Sequence, residues 1–300
     1  MPSIDGVTGL NGEPVFFHFI EVDDELDFDN VSGKTAFNWR FADSKMAYAS
    51  LSRGFKSGGF YGGMATTPSV LVPYDEETVI SYELGLKTDW REYDLRINGA
   101  FFYYDYQDQQ NFARVQDPSG IINSQLTNIG DVSTVGAEVD VTWYPTDDWM
   151  LVANLGYLDS EITDSEYTTR DLFGMADHEL EGLSTPNYSD WNLGLSSRYE
   201  IVVQDENSLI FDVSYRWRSD FDLGIVAIEA ERPLYEVEAY GLLDLQLIYS
   251  GNDDEWQASI WIKNATDEQF RTSARNDSLG GFYELYGSPR TVGATFTYNW

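Results

Sequence analysis

Apolar and polar residues alternate over the last ten residues of the chain, 291–300. Val292, Ala294, Phe296, Tyr298 and Trp300 share one parity, whereas threonine, glycine and asparagine occupy the other. Because successive side chains of a strand point to opposite faces, this pattern predicts a strand with one apolar and one polar face.

The same period of two recurs along most of the chain. It is clearest at 93–104, 134–144 and 209–218, where carboxylates and arginines keep to one parity. Similar patterns predict strands at 33–41, 45–53, 78–90, 149–159, 188–201, 239–249 and 255–263. With the final segment this gives about eleven strands, each long enough for a tilted bilayer crossing, and Val15–Val22 is a weaker twelfth candidate.

The connections between these strands alternate in length. Short turns are expected at 42–44, 91–92, 145–148, 202–206 and 251–254, and long segments at 54–77, 105–133, 160–187, 219–238 and 264–289. In an up-and-down barrel all connections of one class emerge at the same rim. Short periplasmic turns and long extracellular loops are therefore predicted, with the last strand ending at the periplasmic rim.

Composition is consistent with membrane strands and excludes several alternatives. Aromatic residues make up 15% of the chain although the mean hydropathy is only -0.36. No stretch approaches the ~18 apolar residues that a membrane helix requires. A soluble binding sandwich is disfavoured because aromatic residues would face water on too many strands. We therefore expect an all-β, antiparallel, up-and-down transmembrane β-barrel in the outer membrane of a Gram-negative bacterium, in contact with its lipid.

The chain carries a formal charge of -33 and has no cysteine. This charge would repel a phosphate backbone, so nucleic acid is not an expected partner. Acidic residues cluster at 21–29 and 160–187, which favours solubility; clustered carboxylates also bind divalent cations, but the ordered spacing of a calcium loop is missing, and no metal site is predicted. Residues 1–15 lack the basic start and apolar centre of a secretory signal, which leaves two expectations: a chain that is not exported as written, or one whose beginning is missing.

Catalysis finds little support in the sequence. The two histidines, His18 and His178, have no nucleophile motif nearby. A twelve-strand lipase-like barrel would need a Ser-His pair on a strand, and no His-x-Ser arrangement occurs on one. We predict no enzymatic activity, no catalytic residue and no cofactor.

Charged residues on the strands are predicted to point into the barrel. Two interpretations remain open: they pair with one another inside a wet lumen, or some of them contact a plug or a permeating solute. The nine residues are Glu83, Lys87, Arg96, Glu138, Asp140, Asp212, Arg216, Asp244 and Lys263.

Several segments resemble one family, the TonB-dependent outer-membrane receptors of the siderophore type. The similar pieces are Tyr48–Phe60, a Tyr-Glu-x-Gly-x-Lys core at 82–87, Asn128 and Gly130 followed by Gly136 and Glu138, and Lys263–Asp267, in which Ala265 replaces the usual leucine. Together they cover residues 30–300, and their order is more specific than any single motif.

The resemblance implies a transport function. A ferric siderophore or a similar scarce ligand would be taken up with energy from TonB, and the barrel assembly machinery would recognise a terminal signal that matches at Gly293, Phe296, Tyr298 and Trp300. At the mouth, cations and aromatic rings suited to an anionic, ring-rich ligand are expected to bind it. These ligand-binding candidates are Arg53, Phe55, Lys56, Phe60 and Tyr61.

The sequence departs from the family in its strand number. Large transporters close about 22 strands around a plugged lumen, whereas this pattern gives a partial barrel of about 11–12 strands with no plug domain. We expect residues 31–300 to form the C-terminal portion of a receptor barrel and residues 1–30 an upstream strand and acidic extracellular loop segment. TonB could then act only if the missing plug is supplied. The alternative is a self-contained small barrel that acts as a passive channel.

Overall fold

The structure, a computed structural model, describes residues 23–61, 72–116, 122–165, 168–170, 177–204, 207–251, 255–276 and 282–299. Its strands, in chain order, are β1 Gly33–Ala42, β2 Lys45–Lys56, β3 Gly59–Phe60, β4 Pro73–Tyr74, β5 Glu77–Trp90, β6 Leu95–Gln107, β7 Gln110–Gln116, β8 Ile122–Asn128, β9 Asp131–Thr146, β10 Trp149–Asp164, β11 Thr168–Arg170, β12 Asp177–Glu179, β13 Trp191–Gln204, β14 Asn207–Arg218, β15 Phe221–Asp222, β16 Glu236–Val237, β17 Tyr240–Gly251, β18 Trp256–Lys263, β19 Arg271–Asn276, β20 Phe282–Tyr286 and β21 Thr291–Tyr298. The helices are short: α1 Arg232–Tyr235, and 3-10 turns at Arg91–Tyr93 and Glu229–Glu231.

Eleven of these strands form one antiparallel sheet, in the order β1-β2-β5-β6-β9-β10-β13-β14-β17-β18-β21. The eleven predicted strands are confirmed, and so is the alternation of short turns with long connections. Several strands are longer than the sequence predicts, since β9 and β10 each run for 16 residues. The twelfth candidate, Val15–Val22, lies outside the described residues.

The sheet is open in the part of the chain that the structure describes. Its two edges are β1 and β21, which pair only with β2 and β18 respectively. Because successive strands reverse direction, the first and the eleventh run the same way, from the long-loop rim to the short-turn rim. The fold is thus an up-and-down transmembrane barrel wall that is partial, as expected.

One face of the sheet is apolar from edge to edge. Cross-strand partners share a face, and following the register from Phe37 through Ala49, Leu84 and Phe101 gives a continuous apolar row. The side chains are well exposed, with Phe37 and Phe296 both 68% accessible. Aromatic residues lie toward both ends of the strands, as in the interfacial girdles of outer-membrane barrels. This face is the lipid-facing wall.

The charges predicted to point inward lie on the opposite face. The register places all nine predicted inward residues on it, for example Asp140 opposite Asn98, which in turn lies opposite Lys87. This confirms the facing of these residues that the alternation predicts.

Glycines on several strands lie directly beneath an aromatic ring of the neighbouring strand. Tyr48 covers Gly85, Phe102 covers Gly136, and Trp261 covers Gly293, and in each case the two residues are cross-strand partners. A Cβ atom at these glycines would collide with the ring. The pairs pack wide rings flat against the wall and fix the strand register.

The turn after β5 differs from the predicted boundary. The alternation predicts that Tyr93 opens the next strand, but this residue lies in the 3-10 turn and is 64% exposed. Asp94 adopts a left-handed conformation with a φ of 49° and reverses the chain. The strand begins at Leu95 because the turn needs four residues rather than two.

Among the described residues, no helix is both long and apolar enough to span a membrane.

Candidate functional site: the inner wall and the loop cap

Charges on the inner wall are paired across neighbouring strands. Arg216 Nη2 lies 2.9 Å from Asp244 Oδ2, and Arg198 Nη1 lies 3.2 Å from Asp212 Oδ2. The arginine side chains remain 65% and 44% exposed. Water screens such exposed pairs, so they contribute little to stability and leave the guanidinium groups accessible to a solute or protein surface.

One depression of the inner wall has carboxylates on one side and guanidinium groups on the other. The carboxylates that line it are Glu138 and Asp140 of β9, and Glu83 of β5 lies on the same face of the sheet. The Tyr48 hydroxyl donates a hydrogen bond to Glu83 Oε1, and Asn154 Nδ2 donates one to Asp140 Oδ1. The guanidinium groups are those of Arg216 and Arg218 of β14, and the depression has a volume of about 460 Å³. A polar molecule in it would contact both signs of charge.

The long connections build a cap at one rim, and this cap contains the buried hydrophobic cluster of the described residues. Its members come from the connections after β6, β10 and β14 and from the adjoining strand ends. Tyr106 and Leu183 pack against the cluster, which consists of Ala113, Ile129, Val132, Ile162, Leu180 and Ile225. Because the sheet exposes both of its faces, most buried apolar side chains of the described residues lie in the cap and the adjoining strand ends.

A second set of contacts joins the first two long connections. Gln110 Nε2 donates to the carbonyl oxygens of Ser57 and Asp75 at 3.0 and 2.9 Å. Asn128 Nδ2 donates to Asp108 O at 2.7 Å, and Asn128 Oδ1 accepts from Asp75 N at 2.7 Å. These two amide side chains therefore join the backbones of the two connections.

Gly130 explains the Asn-x-Gly motif seen in the sequence. Its φ is +109°, a conformation that other residues rarely adopt, and a Cβ atom there would collide with Asp164 O. The motif therefore combines an interloop tie at Asn128 with a sharp turn at Gly130.

Arg271 joins the last two long connections. Its Nη1 donates to Leu234 O at 3.1 Å and to Glu284 Oε1 at 3.0 Å, and its Nη2 donates to Pro233 O at 3.2 Å and to Glu236 O. The planar guanidinium group thus caps α1 while it holds the β19–β20 hairpin. Reasoning from the sequence misses this residue, since no motif marks it.

Three acids of the cap have a raised pKa, and Asp222 is the most buried of them. Its side chain is 18% exposed and lies 3.4 Å from Arg232, while Oδ1 has no hydrogen-bond partner. Burial raises the pKa of the Asp222 carboxyl; Arg232 opposes this effect, and Glu236, Asp220 and Glu229 add to it. Partial burial is also the main cause of the raised pKa of Asp108 and of Asp190, and neighbouring aspartates raise both further.

The structure divides the five predicted ligand-binding residues. Arg53 and Phe55 have the parity of the lipid-facing wall, and Arg53 donates to Asn30 Oδ1 and Val31 O. Lys56 lies on the inner face at the end of β2. Phe60 lies in β3, and the Tyr61 ring contacts Phe112 edge-on with ring centres 5.5 Å apart. Lys56, Phe60 and Tyr61 thus lie on the inner face of β2 or in the connection that follows it, whereas Arg53 and Phe55 do not.

The described part of the predicted assembly signal lies on the edge strand β21. Phe296 and Tyr298 belong to the lipid-facing wall, whereas Gly293 lies under Trp261 on the inner face. The Tyr298 hydroxyl donates to Glu255 Oε1 at 2.7 Å. Trp300 lies outside the described residues.

The described residues contain no group of three or more histidine, aspartate and glutamate side chains placed to hold a metal ion. His178 lies in β12 opposite Thr169. His18 lies outside the described residues.

An open antiparallel wall with one lipid-facing surface, a charged inner surface and a loop cap defines this chain as part of an outer-membrane β-barrel protein. The family model described as TonB dependent receptor-like, beta-barrel matches residues 5–265. The chain belongs to this family of transport receptors, and it is an outer-membrane protein of Gram-negative bacteria.

Solved structures share the fold at low sequence identity. The ferric yersiniabactin uptake receptor FyuA from Yersinia pestis superposes with a TM-score of 0.68 at 20% identity, covering 88% of this chain and 36% of its own. The siderophore receptor PiuA from Acinetobacter baumannii gives 0.66 at 18%, covering 88% and 35%. The copper transporter OprC gives 0.61 at 14%, covering 90% and 39%. The chain thus spans less than two-fifths of each of these proteins.

Proposed function

We propose that this chain forms the wall and the loop cap of a receptor that takes up a ferric siderophore, or a similarly scarce metal complex, with energy from TonB. The observation that carries the proposal is the inner wall, a charged and accessible surface beneath a cap with its own hydrophobic core. Such a cap can hold a ligand above the wall. Of the proteins that share the fold, FyuA is a ferric yersiniabactin uptake receptor and PiuA a siderophore receptor.

Within this proposal, residues 31–300 are the C-terminal portion of the barrel and residues 1–30 an upstream strand and acidic extracellular loop segment. Energised uptake would also need a plug domain, because TonB acts on a plug. The inner-wall arginines Arg198 and Arg216 are accessible enough to contact such a plug.

The alternative, a small passive channel, is less well supported. Closing the described sheet on itself would bring β1 and β21 together in parallel, whereas every other pair in the sheet is antiparallel. Closed outer-membrane barrels of bacteria are generally built from antiparallel pairs and even strand numbers.

Uptake of radioactive iron tests the proposal. Cells that lack their own siderophore receptors and carry the full-length protein are given iron loaded on catecholate, hydroxamate and mixed siderophores, with and without TonB. We expect one class of siderophore to be taken up only when TonB is present. Solute entry that is independent of TonB, without uptake of any ferric siderophore, would favour the passive channel instead.

For the ligand contact itself, we propose Lys56, Phe60 and Tyr61 at the mouth, while Arg53 and Phe55 remain predictions. Tyr61→Ala is expected to lower ferric siderophore binding, because it removes one stacking ring, worth about 1 kcal/mol or about fivefold in affinity. Phe211→Ala, which removes an exposed ring from the lipid-facing wall away from the mouth, is the control. Equal loss in both variants would argue against a role for Tyr61 in binding.

A further inference from the structure

The lipid-facing wall has a trough along β2. The outward residues Ala47 and Ala49 are small, whereas their cross-strand partners are large: Trp39 and Leu86 flank Ala47, and Phe37 and Leu84 flank Ala49. The flanking side chains stand exposed, with Trp39 59% and Leu84 60% accessible. Two alanines between two rows of large side chains form the floor of a narrow apolar trough.

Above Ala49 the next outward residue of β2 is Leu51, which lies between its cross-strand partners Thr35 and Tyr82 and ends the row of small side chains. A depression of about 410 Å³ is lined there by side chains of β1, β2, β5 and β6. Tyr82 and Tyr103 close its upper end with ring centres 6.2 Å apart. The lining is apolar apart from hydroxyl groups and the backbone near Ser50 and Glu83.

At the lower end of the trough stands a cation. Lys45 precedes Ala49 by four residues on the same face, a distance of about 13 Å along a strand. Its Nζ lies 3.0 Å from the centre of the Trp90 ring, at the short-turn rim. None of the ion pairs found among the described residues involves Lys45. A lysine on an interfacial tryptophan lies at the level of lipid headgroups.

We propose that this trough binds one glycerophospholipid of the periplasmic leaflet, with its phosphate at Lys45 and one acyl chain over Ala47 and Ala49. The trough is continuous with the lipid-facing wall, and the cation lies where the anionic headgroup of a chain in the trough would be. A second receptor is a poorer occupant, because the convex wall of another barrel cannot enter a channel one residue wide. The chain end would lie against Tyr82 and Tyr103.

A comparable depression elsewhere on the wall lacks the cation. It measures about 470 Å³ and is lined by Leu247, Ala258, Ile260, Ala294 and other apolar residues near the β21 edge. Aromatic residues, Trp256 and Tyr298, occupy the strand ends below it, rather than a lysine. If a bound lipid needs both the apolar trough and the lysine, this second depression should bind it less well, and it serves as the comparison within the same protein.

The experiment is photolabelling of the full-length protein, purified from outer membranes and reconstituted in vesicles of phosphatidylethanolamine and phosphatidylglycerol. A phosphatidylglycerol with a photoreactive group in one chain is the probe, and mass spectrometry maps the labelled residues. We expect labelling concentrated between Phe37 and Leu84, and several-fold weaker labelling near Ala258. Labelling spread evenly around the wall would overturn the proposal, as would protein-to-protein cross-links at the trough.

Variants separate a bound lipid from general solvation of the wall. Ala49→Phe fills the trough and should abolish the concentrated labelling, whereas Ala153→Phe, also four residues above a short turn on the outward face, should not. Lys45→Gln should weaken labelling about fivefold, the effect of one lysine at an anionic lipid surface. Unchanged labelling in Ala49→Phe would also overturn the proposal, and the wild-type map stands even if a variant assembles poorly.

Discussion

At the residue scale, the wall depends on a few glycines that leave room for rings. Gly85 and Gly293 are not placed by backbone conformation, since both lie within regular strands; they are required by the Tyr48 and Trp261 rings above them. Gly156 lies on the same inner face, but a Cβ atom added to it would have no other atom within 4 Å. Replacing Gly85 or Gly293 should therefore cost more folding free energy than replacing Gly156, although all three lie on the inner face.

Replacing Gly85 by valine should destabilise the folded protein by about 1–3 kcal/mol, because the added methyl groups displace the Tyr48 ring and strain the β2–β5 pairing. Gly156→Val on the same face should have little effect. Both effects are measured, in the full-length receptor, by the temperature at which its compact gel band is lost on heating. Equal losses in the two variants would show that the ring does not set the cost.

A second prediction at this scale concerns Asp222. Its pKa is raised in the folded cap, so the folded state holds the proton more tightly than the opened loop does. Stability of the loop is therefore fully present below the ordinary aspartate pKa of about 4 and is lost as pH rises through the folded-state value. Hydrogen exchange of residues 221–237, corrected for the intrinsic effect of pH, should show more protection on the acid side.

Asp222→Asn should flatten this dependence, because the amide does not ionise. Asp148→Asn, in a short turn at the opposite rim, should keep the wild-type profile. A wild-type cap whose protection rises with pH would contradict the assigned direction.

At the element scale, the long connections act as ties as well as loops. The hydrogen bonds of Arg271, called here the Arg271 clasp, join the last two long connections. Those of Asn128 and Gln110 join the first two, and the hydrophobic cluster lies between the two sets of contacts. A substitution in one connection should thus change the mobility of its neighbour.

Arg271→Lys is expected to raise hydrogen exchange in α1 and in β19–β20 together. A lysine keeps the charge but cannot donate from a planar fork, and each lost bond to a charged group is worth about 1.5–3 kcal/mol. An increase of about tenfold or more is expected in both segments. Arg290→Lys, whose guanidinium pairs with Asp267 3.6 Å away, is the control. Increased exchange in β19–β20 alone would show that the clasp does not couple the two connections.

The strands could be predicted from the sequence because each one alternates between lipid and water, and this alternation is strong over eight or more residues. The facing of the charges followed from the same pattern. The small hairpins of the cap could not be predicted, because β3, β4, β15 and β16 have only two residues each and form through contacts between connections. Arg271 was missed for the same reason: its partners are backbone carbonyls 35 to 38 residues away.

The mouth illustrates a further limit of the sequence. Arg53 and Phe55 have the residue types of a ligand site, but their odd numbers put them on the lipid-facing side of β2, whereas Lys56 has the inward parity. The residue types alone suggest a single ligand-binding surface. The alternation along β2 instead puts Arg53 and Phe55 on one face and Lys56 on the other.

At the scale of the whole molecule, the direction of the edge strands controls closure. Residues 23–300, expressed with a signal sequence, should give no compact heat-sensitive band, because two open edges leave amide and carbonyl groups in lipid at several kcal/mol each. The chain 1–300 is the comparison, since it contains the candidate strand Val15–Val22. A compact band from both proteins would mean that β1 and β21 pair in parallel.

The loop cap has a mechanical consequence for the wall. Long connections bind one another at the upper rim, whereas the lower rim is joined within each hairpin by a short turn. The contacts between long connections therefore hold the strands at fixed spacing at the long-loop rim, and this rim sets the curvature of the sheet. Deformation of the wall, whether by a passing solute or by lateral pressure in the bilayer, should begin at the periplasmic end and fade toward the cell surface.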